Sequence, residues 1–389
     1  MVIVKCFRFL PRHFLLHGFH ELPRFHLKAR SLFLVTPPCN SSSDDHRKKP
    51  MKDVLLQNLD VSADIYCHLV DDCARLRLLE EGKKIHKHIL WHQAHLNNPK
   101  LLEKLSLMYL SCNEIYLARF IFDEIPKPSI FLCNAMIRAY AWKGPFDQAI
   151  DLYYRLIGSG IVPNKYTYPS VLKACSTLQA LEEGTDIHNH ARSMGLECDV
   201  FISTSLIDMY TKCGRLQDAR QVFIQITNRD VVSWNAMVAG CSLHGLYVDA
   251  VGFLHEMQSQ GIAPNSSTVV GILPVVGETK ALKQGKSIHC FCLRRFFDED
   301  NILVSTALLD MYAKCESLGY ARIIFNKISP KNEVTWSAMI GGYVQCEMML
   351  EALVLFGHLM LNSNMASTSL ACVLRACASL ADLKKGWKH

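Results

Sequence analysis

The chain is predicted to be an all-α solenoid of stacked helix-turn-helix repeats, and three observations predict it. First, long phrases recur at a period near one hundred residues: Val231 to Gly240 (Val-Val-Ser-Trp-Asn-Ala-Met-Val-Ala-Gly) returns as Glu333 to Gly342 (Glu-Val-Thr-Trp-Ser-Ala-Met-Ile-Gly-Gly), and Cys133 to Tyr140 is an earlier copy. Second, each long period holds three shorter units of unequal length, aligned by anchors at fixed offsets. Third, apolar residues inside a unit recur at three- and four-residue steps, and no stretch alternates with period two, so helices are expected and strands are not. A period of this length describes stacked units sharing one continuous core, with no globular domain built around a pocket.

The anchors order the units. Ile207 to Arg220 (Ile-Asp-Met-Tyr-Thr-Lys-Cys-Gly-Arg-Leu-Gln-Asp-Ala-Arg) returns as Leu309 to Arg322, and more weakly as Leu107 to Cys112 with Leu117 to Arg119. Another phrase joins an apolar run to glycine and histidine: Val171 to Cys175 with Gly184 and His188, Cys73 with Gly82 and His86, Gly285 with His289, and Cys377 with Gly386. Long units then run 63–98, 165–199, 266–301 and, incomplete, 367–389; short units run 99–129, 200–230 and 302–332; standard units run 130–164, 231–265 and 333–366. Residues 51–62 lead into the array.

Within a unit, spacing identifies the buried face. Leu216, Ala219, Val222, Phe223 and Ile226 form one helical stripe behind the turn at Cys213-Gly214, where glycine tolerates a left-handed backbone. Pro163-Asn164 and Pro264-Asn265 are expected to close the second helix of a standard unit, because proline cannot continue a helix. Ala149, Ala250 and Ala352 sit at matched places where paired helices approach closely.

Charge and cysteine usage restrict function less than they first suggest. The formal net charge is +6, but the first 43 residues hold Lys5, Arg8, Arg12, Arg24, Lys28 and Arg30 against Glu21 alone, which leaves 36 basic and 35 acidic residues elsewhere. Bulk charge therefore does not identify a partner. That leader mixes apolar clusters with scattered bases, the pattern of an organellar presequence, and its lack of Ser or Thr before Ser31 favours the mitochondrion over the chloroplast. A disordered start is the alternative. Ser41 to Pro50 reads as a polar linker, so 1–50 is transit peptide and linker; no apolar run is long enough to span a bilayer.

Cys112, Cys213 and Cys315 are equivalent in short units, and Cys73, Cys175 and Cys377 in long ones; recurrence by repeat is what small buried apolar residues do. No Cys-x-x-Cys pair occurs, and Cys290-Phe-Cys292 has the wrong spacing for a usual zinc site. His86, His188 and His289 each follow an isoleucine on a second helix, a placement that favours structure over metal binding or acid–base chemistry.

In phrase, length and order, these anchors resemble plant pentatricopeptide repeat proteins of the subclass that alternates standard, long and short motifs, over roughly 63–389. The tetratricopeptide repeat has uniform units of about 34 residues and a Trp-x-x-Leu-Gly-x-x-Tyr signature that this chain lacks. The resemblance implies a right-handed superhelix whose first helices line one face, with single-stranded organellar RNA as partner, no membrane, no DNA and no cofactor. Many members of the subclass carry a C-terminal deaminase-like domain, whose zinc site needs His-x-Glu followed by Pro-Cys-x-x-Cys. This chain contains neither element, so no catalytic residue, no metal ligand and no activity of its own are expected. The implied role is site recognition for RNA modification, chiefly cytidine-to-uridine editing, with a deaminase or accessory editing factor acting in trans.

By the same resemblance, each standard or short unit reads one base with its fifth and last residues, while its second residue wedges between bases. Asn134 with Asn164, and Asn235 with Asn265, would favour a pyrimidine, cytosine over uracil; Thr204 with Asp230 matches the guanine pair, and Thr306 with Asn332 the adenine pair. Ser337 is the fifth residue of 333–366, whose last residue is not readable. Aspartate only accepts hydrogen bonds and suits a donating edge, whereas an asparagine amide both donates and accepts and suits a mixed one. Phe131, Phe201, Val232, Leu303 and Val334 are the wedge candidates, apolar faces on which bases stack. Unit 99–129 presents Lys100, Glu103 and Ser129 and matches no pair; long units, with Pro169 or Val270 at the fifth place, are unassigned. The expected site is 5′-n-n-Y-n-G-Y-n-A-n-3′, Y being a pyrimidine. Alternatives are a factor that stabilises, splices or promotes translation of a transcript, a protein-interaction scaffold, or a truncated fragment without function.

Overall fold

The computed structural model describes residues 61–92, 95, 97–295 and 301–362, all of them helix or connecting turn. The leader, the linker and the last partial unit lie outside the described residues. Two compact units divide at Cys112/Asn113, between the two helices of the segment 99–129.

The first unit holds α1 (Ala63–Leu76), α2 (Leu79–His92) and α3 (Pro99–Ser111), with α1 packed on both α2 and α3. The second holds α4 (Ile115–Asp123), α5 (Ile130–Lys143), α6 (Phe146–Gly158), α7 (Thr167–Leu178), α8 (Leu181–Ser193), α9 (Val200–Lys212), α10 (Leu216–Gln225), α11 (Val231–Leu243) and α12 (Tyr247–Ser259). It continues with α13 (Ser266–Glu278), α14 (Leu282–Arg295), α15 (Ile302–Lys314), α16 (Leu318–Lys327), α17 (Glu333–Gln345) and α18 (Met349–Asn362). In this unit α5, α7, α9, α11, α13, α15 and α17 pack side by side as one layer, and α6, α8, α10, α12, α14, α16 and α18 each back onto their own partner.

The anchor phrases are two sides of one contact. A methyl-sized atom on Gly184 would lie 2.6 Å from Met209 Sδ, and on Gly285 2.4 Å from Met311 Sδ, so glycine here lets the second helix of one segment lie against the first helix of the next. One turn further on, His188 Nδ1 and the Tyr210 hydroxyl hydrogen-bond at 2.9 Å, as do His289 and Tyr312. Glycine-histidine in one segment is thus matched to methionine-tyrosine in its neighbour. Within the first unit the same pairing is made by Gly82 with Met108, and by His86 with Tyr109 at 2.9 Å.

Burial disfavours the charged form of two of these histidines, holding His86 down at about 4 and His188 below its ordinary value. The unfolded state of a chain with a depressed histidine binds the extra proton, so this stabilisation is present above about pH 6.5 and is lost as pH falls toward 4. For His86 the loss is about 3 kcal/mol. Thermal melts between pH 7 and 4 are expected to show it as a falling midpoint, with a shallower fall in His86→Gln. Burial also pushes the Cys73 and Cys175 thiols up to about 12, which makes them packing groups and poor nucleophiles.

The expected helix stops need correction. Pro163 and Pro264 do not end the second helices: α6 ends at Gly158 and α12 at Ser259, and the chain turns on Gly160 (φ 78°) and Gly261 (φ 76°). There the Ile161 and Ile262 amides donate back to the Leu156 and Met257 carbonyls, which satisfies the orphaned helix ends before proline is reached. Ile226, placed on the stripe of α10, is buried but sits just beyond its last turn; Ala219, Val222 and Phe223 form the buried stripe, and Leu216 is half-buried.

The core is not filled equally in successive periods. Between α6, α7 and α8, Tyr153, Tyr168 and His190 cluster, with Tyr153 hydrogen-bonded to His190 Nδ1 at 2.6 Å. One hundred and one residues later Leu254, Val269 and Phe291 replace them, and a cavity of about 360 Å³ opens between α12, α13 and α14.

Candidate nucleic-acid interface

The paired residues lie on the layer of first helices, and the helix starts put them there. Asp230, Asn265 and Asn332 are N-caps of α11, α13 and α17, their side-chain oxygens accepting from the amides of Ser233 (2.8 Å), Thr268 (3.0 Å) and Thr335 (2.9 Å). Asn164 plays a similar part before α7, accepting from the Tyr166 amide at 3.0 Å. The last residue of each segment is therefore fixed by the first turn of the next helix.

Two of the pairs are in direct contact. Asn134 Nδ2 donates to Asn164 Oδ1 at 3.1 Å, and Asn235 Nδ2 donates to Asn265 Oδ1 at 3.1 Å. A third is bridged: the Thr306 and Thr335 hydroxyls are 3.1 Å apart, and Thr335 Oγ1 donates to Asn332 Oδ1 at 2.8 Å. The fourth pair is not joined: Thr204 Oγ1 is enclosed without a hydrogen-bond partner among the described residues, and Asp230 is exposed. Ser337 is half-buried on α17. The wedge candidates Phe131, Phe201, Val232, Leu303 and Val334 project from the first turns of their helices with 54 to 74 % of their surface exposed.

Sequence reasoning missed the hydroxyls that organise the pairs. Thr167, Thr268, Thr335 and Ser233 each stand three residues after a last residue, and all four are buried. Thr167 Oγ1 accepts from the Asn164 amide at 3.0 Å and donates to Asn134 Oδ1 at 2.7 Å; Thr268 Oγ1 accepts from the Asn265 amide at 3.0 Å and donates to Asn235 Oδ1 at 2.6 Å. Ser233 turns its hydroxyl instead to the Asp230 carbonyl at 2.8 Å, which is why Thr204 lacks the equivalent contact. The four-fold recurrence of a hydroxyl at one offset was the available signal.

Charges further along the first helices are balanced. Asp208 and Asp310 each pair with the lysine one turn later, Lys212 at 2.7 Å and Lys314 at 3.0 Å. Burial, and then the nearby Lys212, hold Lys173 below the ordinary lysine value. Among the described residues no cluster of three or more histidine, cysteine or acidic side chains is arranged to hold a metal ion, and no helix is long and apolar enough to cross a membrane.

Comparison with known proteins places these features. Residues 128–177 and 229–273 match the profile of the PPR repeat family, and 201–231 and 334–362 match that of the PPR repeat. The Arabidopsis thaliana pentatricopeptide repeat-containing protein At3g16610 is 43% identical over 328 residues, 83% of this chain and 50% of the relative. The chloroplastic At1g11290 of the same plant is 33% identical over 332 residues, 84% of this chain and 40% of that one; the mitochondrial At2g03380 is 32% identical over 326 residues, 83% and 47%. The chain thus spans about half the length of these relatives. Among solved structures, the pentatricopeptide repeat protein PPR10 in complex with an 18-nucleotide psaJ RNA element superposes with a TM-score of 0.61 at 17% identity, covering 76% of this chain and 45% of PPR10. That likeness establishes a shared solenoid fold. Helix pairs, anchor phrases and relatives agree: the chain is built of pentatricopeptide repeats and has plant pentatricopeptide repeat proteins as its homologues.

Proposed function

We propose that this chain binds single-stranded RNA by sequence along the layer of first helices, one base to each standard or short unit. The observation that carries the reading is the recurrence, at four equivalent places, of a fifth residue and a last residue set beside an exposed apolar wedge. The chemistry of each pair supports it. Asp230 is an exposed acceptor suited to the donating edge of guanine, whereas the Asn332 carbonyl oxygen is engaged by Thr335, which leaves its N–H groups to meet adenine N1. Bases stacking on Phe131, Phe201, Val232, Leu303 and Val334 would supply affinity that does not depend on sequence.

The role we infer is recognition of a site in an organellar transcript for modification, chiefly cytidine-to-uridine editing, with catalysis supplied by a deaminase or accessory editing factor in trans. The mitochondrial and chloroplastic relatives support an organelle, and the leader favours the mitochondrion. The alternating long, short and standard order of the units, 63 to 389, belongs to this reading.

Selection from a random RNA pool tests it. Enrichment of Y-n-G-Y-n-A is the expected result. Binding without a motif would reduce the interface to a non-specific RNA contact, and failure of folded protein to bind would favour a protein-interaction scaffold.

A further inference from the structure

We propose that the hydroxyl three residues after the last residue, Thr167 for one pair and Thr268 for the other, is a third specificity determinant: by engaging the fifth residue's carbonyl it makes each Asn–Asn pair a mainly donating edge that selects cytosine over uracil. This rests on the RNA reading above and sharpens it, because an isolated asparagine amide would not discriminate these bases.

An accounting of lone pairs and protons carries the inference. Asn265 Oδ1 accepts from Asn235 Nδ2 (3.1 Å) and from the Thr268 amide (3.0 Å), and the Thr268 hydroxyl lies 3.2 Å away. Asn164 Oδ1 is engaged in the same way by Asn134 Nδ2 (3.1 Å) and the Tyr166 amide (3.0 Å), with the Thr167 hydroxyl at 3.3 Å. The remaining carbonyl of each pair, on Asn235 or Asn134, is held by the threonine hydroxyl itself at 2.6 or 2.7 Å. The threonine oxygen also receives the backbone amide of Asn265 or Asn164, so its own proton is directed at that carbonyl. Three of the four carbonyl lone pairs of each pair are thus taken, whereas three N–H protons remain to meet a base, both on the last residue's amide and one on the fifth's.

An edge on which donors predominate discriminates between pyrimidines. Cytosine presents O2 and N3 as adjacent acceptors; uracil places a proton on N3, which would face another donor. The threonine thus sets the sign of the preference without touching the base. Replacing its hydroxyl by a methyl would release the Asn235 carbonyl as an acceptor, and uracil N3–H would gain a partner that cytosine cannot use.

Thr268→Val and Thr268→Ser in the full chain test this, with nine-nucleotide RNAs carrying C or U at the sixth position and G or A at the fifth. The wild type is expected to prefer C. Thr268→Val should shift the C:U ratio toward U by about tenfold, the worth of one oriented hydrogen bond. Thr268→Ser should keep the wild-type ratio, and the G:A ratio at the fifth position should stay unchanged in both. A general folding defect would instead weaken every RNA alike; should Thr268→Val not fold, Thr167→Val read at the third position asks the same question. Retention of the C:U ratio by folded valine variants, alongside a wild type that prefers C, overturns the proposal alone. A wild type that binds RNA without pyrimidine preference, or does not bind it, overturns both the proposal and the reading it rests on.

Discussion

Trp234→Ala is expected to lower stability by about 3–5 kcal/mol, the range for removing a large aromatic side chain from a packed core. The indole is fully buried, meets Phe223 edge-on with ring centroids 4.8 Å apart and Phe253 at 6.3 Å, and is covered by the Arg229 guanidinium. These neighbours lie on α10, α12 and the turn before α11, so the loss falls on the contact between two adjacent units as well as on one unit. Its Nε1 has no hydrogen-bond partner among the described residues, so the cost arises from packing alone. Trp336 is the internal control. It stands at the matching place on α17 and meets Phe325 at 5.1 Å, but it is only half-buried, so Trp336→Ala should cost distinctly less. Urea unfolding followed by helical circular dichroism measures both; equal losses would show that the two copies are packed alike.

Asp230→Asn is expected to change base preference with little change in stability, the reverse of the tryptophan variant. Asn and Asp cap helices about equally well, so the bond from the Ser233 amide survives the exchange, whereas Asp230→Ala would give up about 1 kcal/mol. On the proposed RNA reading, what changes is the group set toward the base: a carboxylate that can only accept becomes an amide that can donate. With Thr204 kept, preference at the fifth position of the RNA should swing from guanine toward adenine. Exchanging one matched hydrogen bond for a mismatched one makes the swing about tenfold or more. Fluorescence anisotropy with the two RNAs measures it, and equal affinity of the variant for both would count against the assignment of this pair.

The helix pairs were legible in the sequence because burial imposes periodicity on each one separately, as Ala219, Val222 and Phe223 illustrate. Contacts between units were legible only as recurrence. Gly184 and His188 stood out as repeating, yet nothing local connects them with Met209 and Tyr210, which lie on a different helix pair. The helix ends were misread because proline is the conspicuous residue in Pro163-Asn164, whereas the turn is made on the less conspicuous Gly160. At the candidate interface the pairs could be placed by their offsets, but their hydrogen-bond state could not. Asn235 and Asn265 read as amides free to donate and accept, and only the fold brings Thr268 Oγ1 within 2.6 Å of the Asn235 carbonyl. The division at Cys112 left no mark on the repeat pattern.

The boundary of a transplantable module differs from the boundary of a repeat. A unit cut from 231 to 265 would carry Asn235 and Asn265 but leave behind Thr268, together with the helix start that holds Asn265 in place. Grafted before a segment with a different third residue, it would keep both nominal letters and lose their orientation. A cassette meant to carry its own reading into another solenoid therefore has to extend past the repeat end through the first turn of the following helix. On the proposed RNA reading, chimeras joined within α13 beyond Thr268 and chimeras joined at Asn265 would contain the same pair but differ in fidelity.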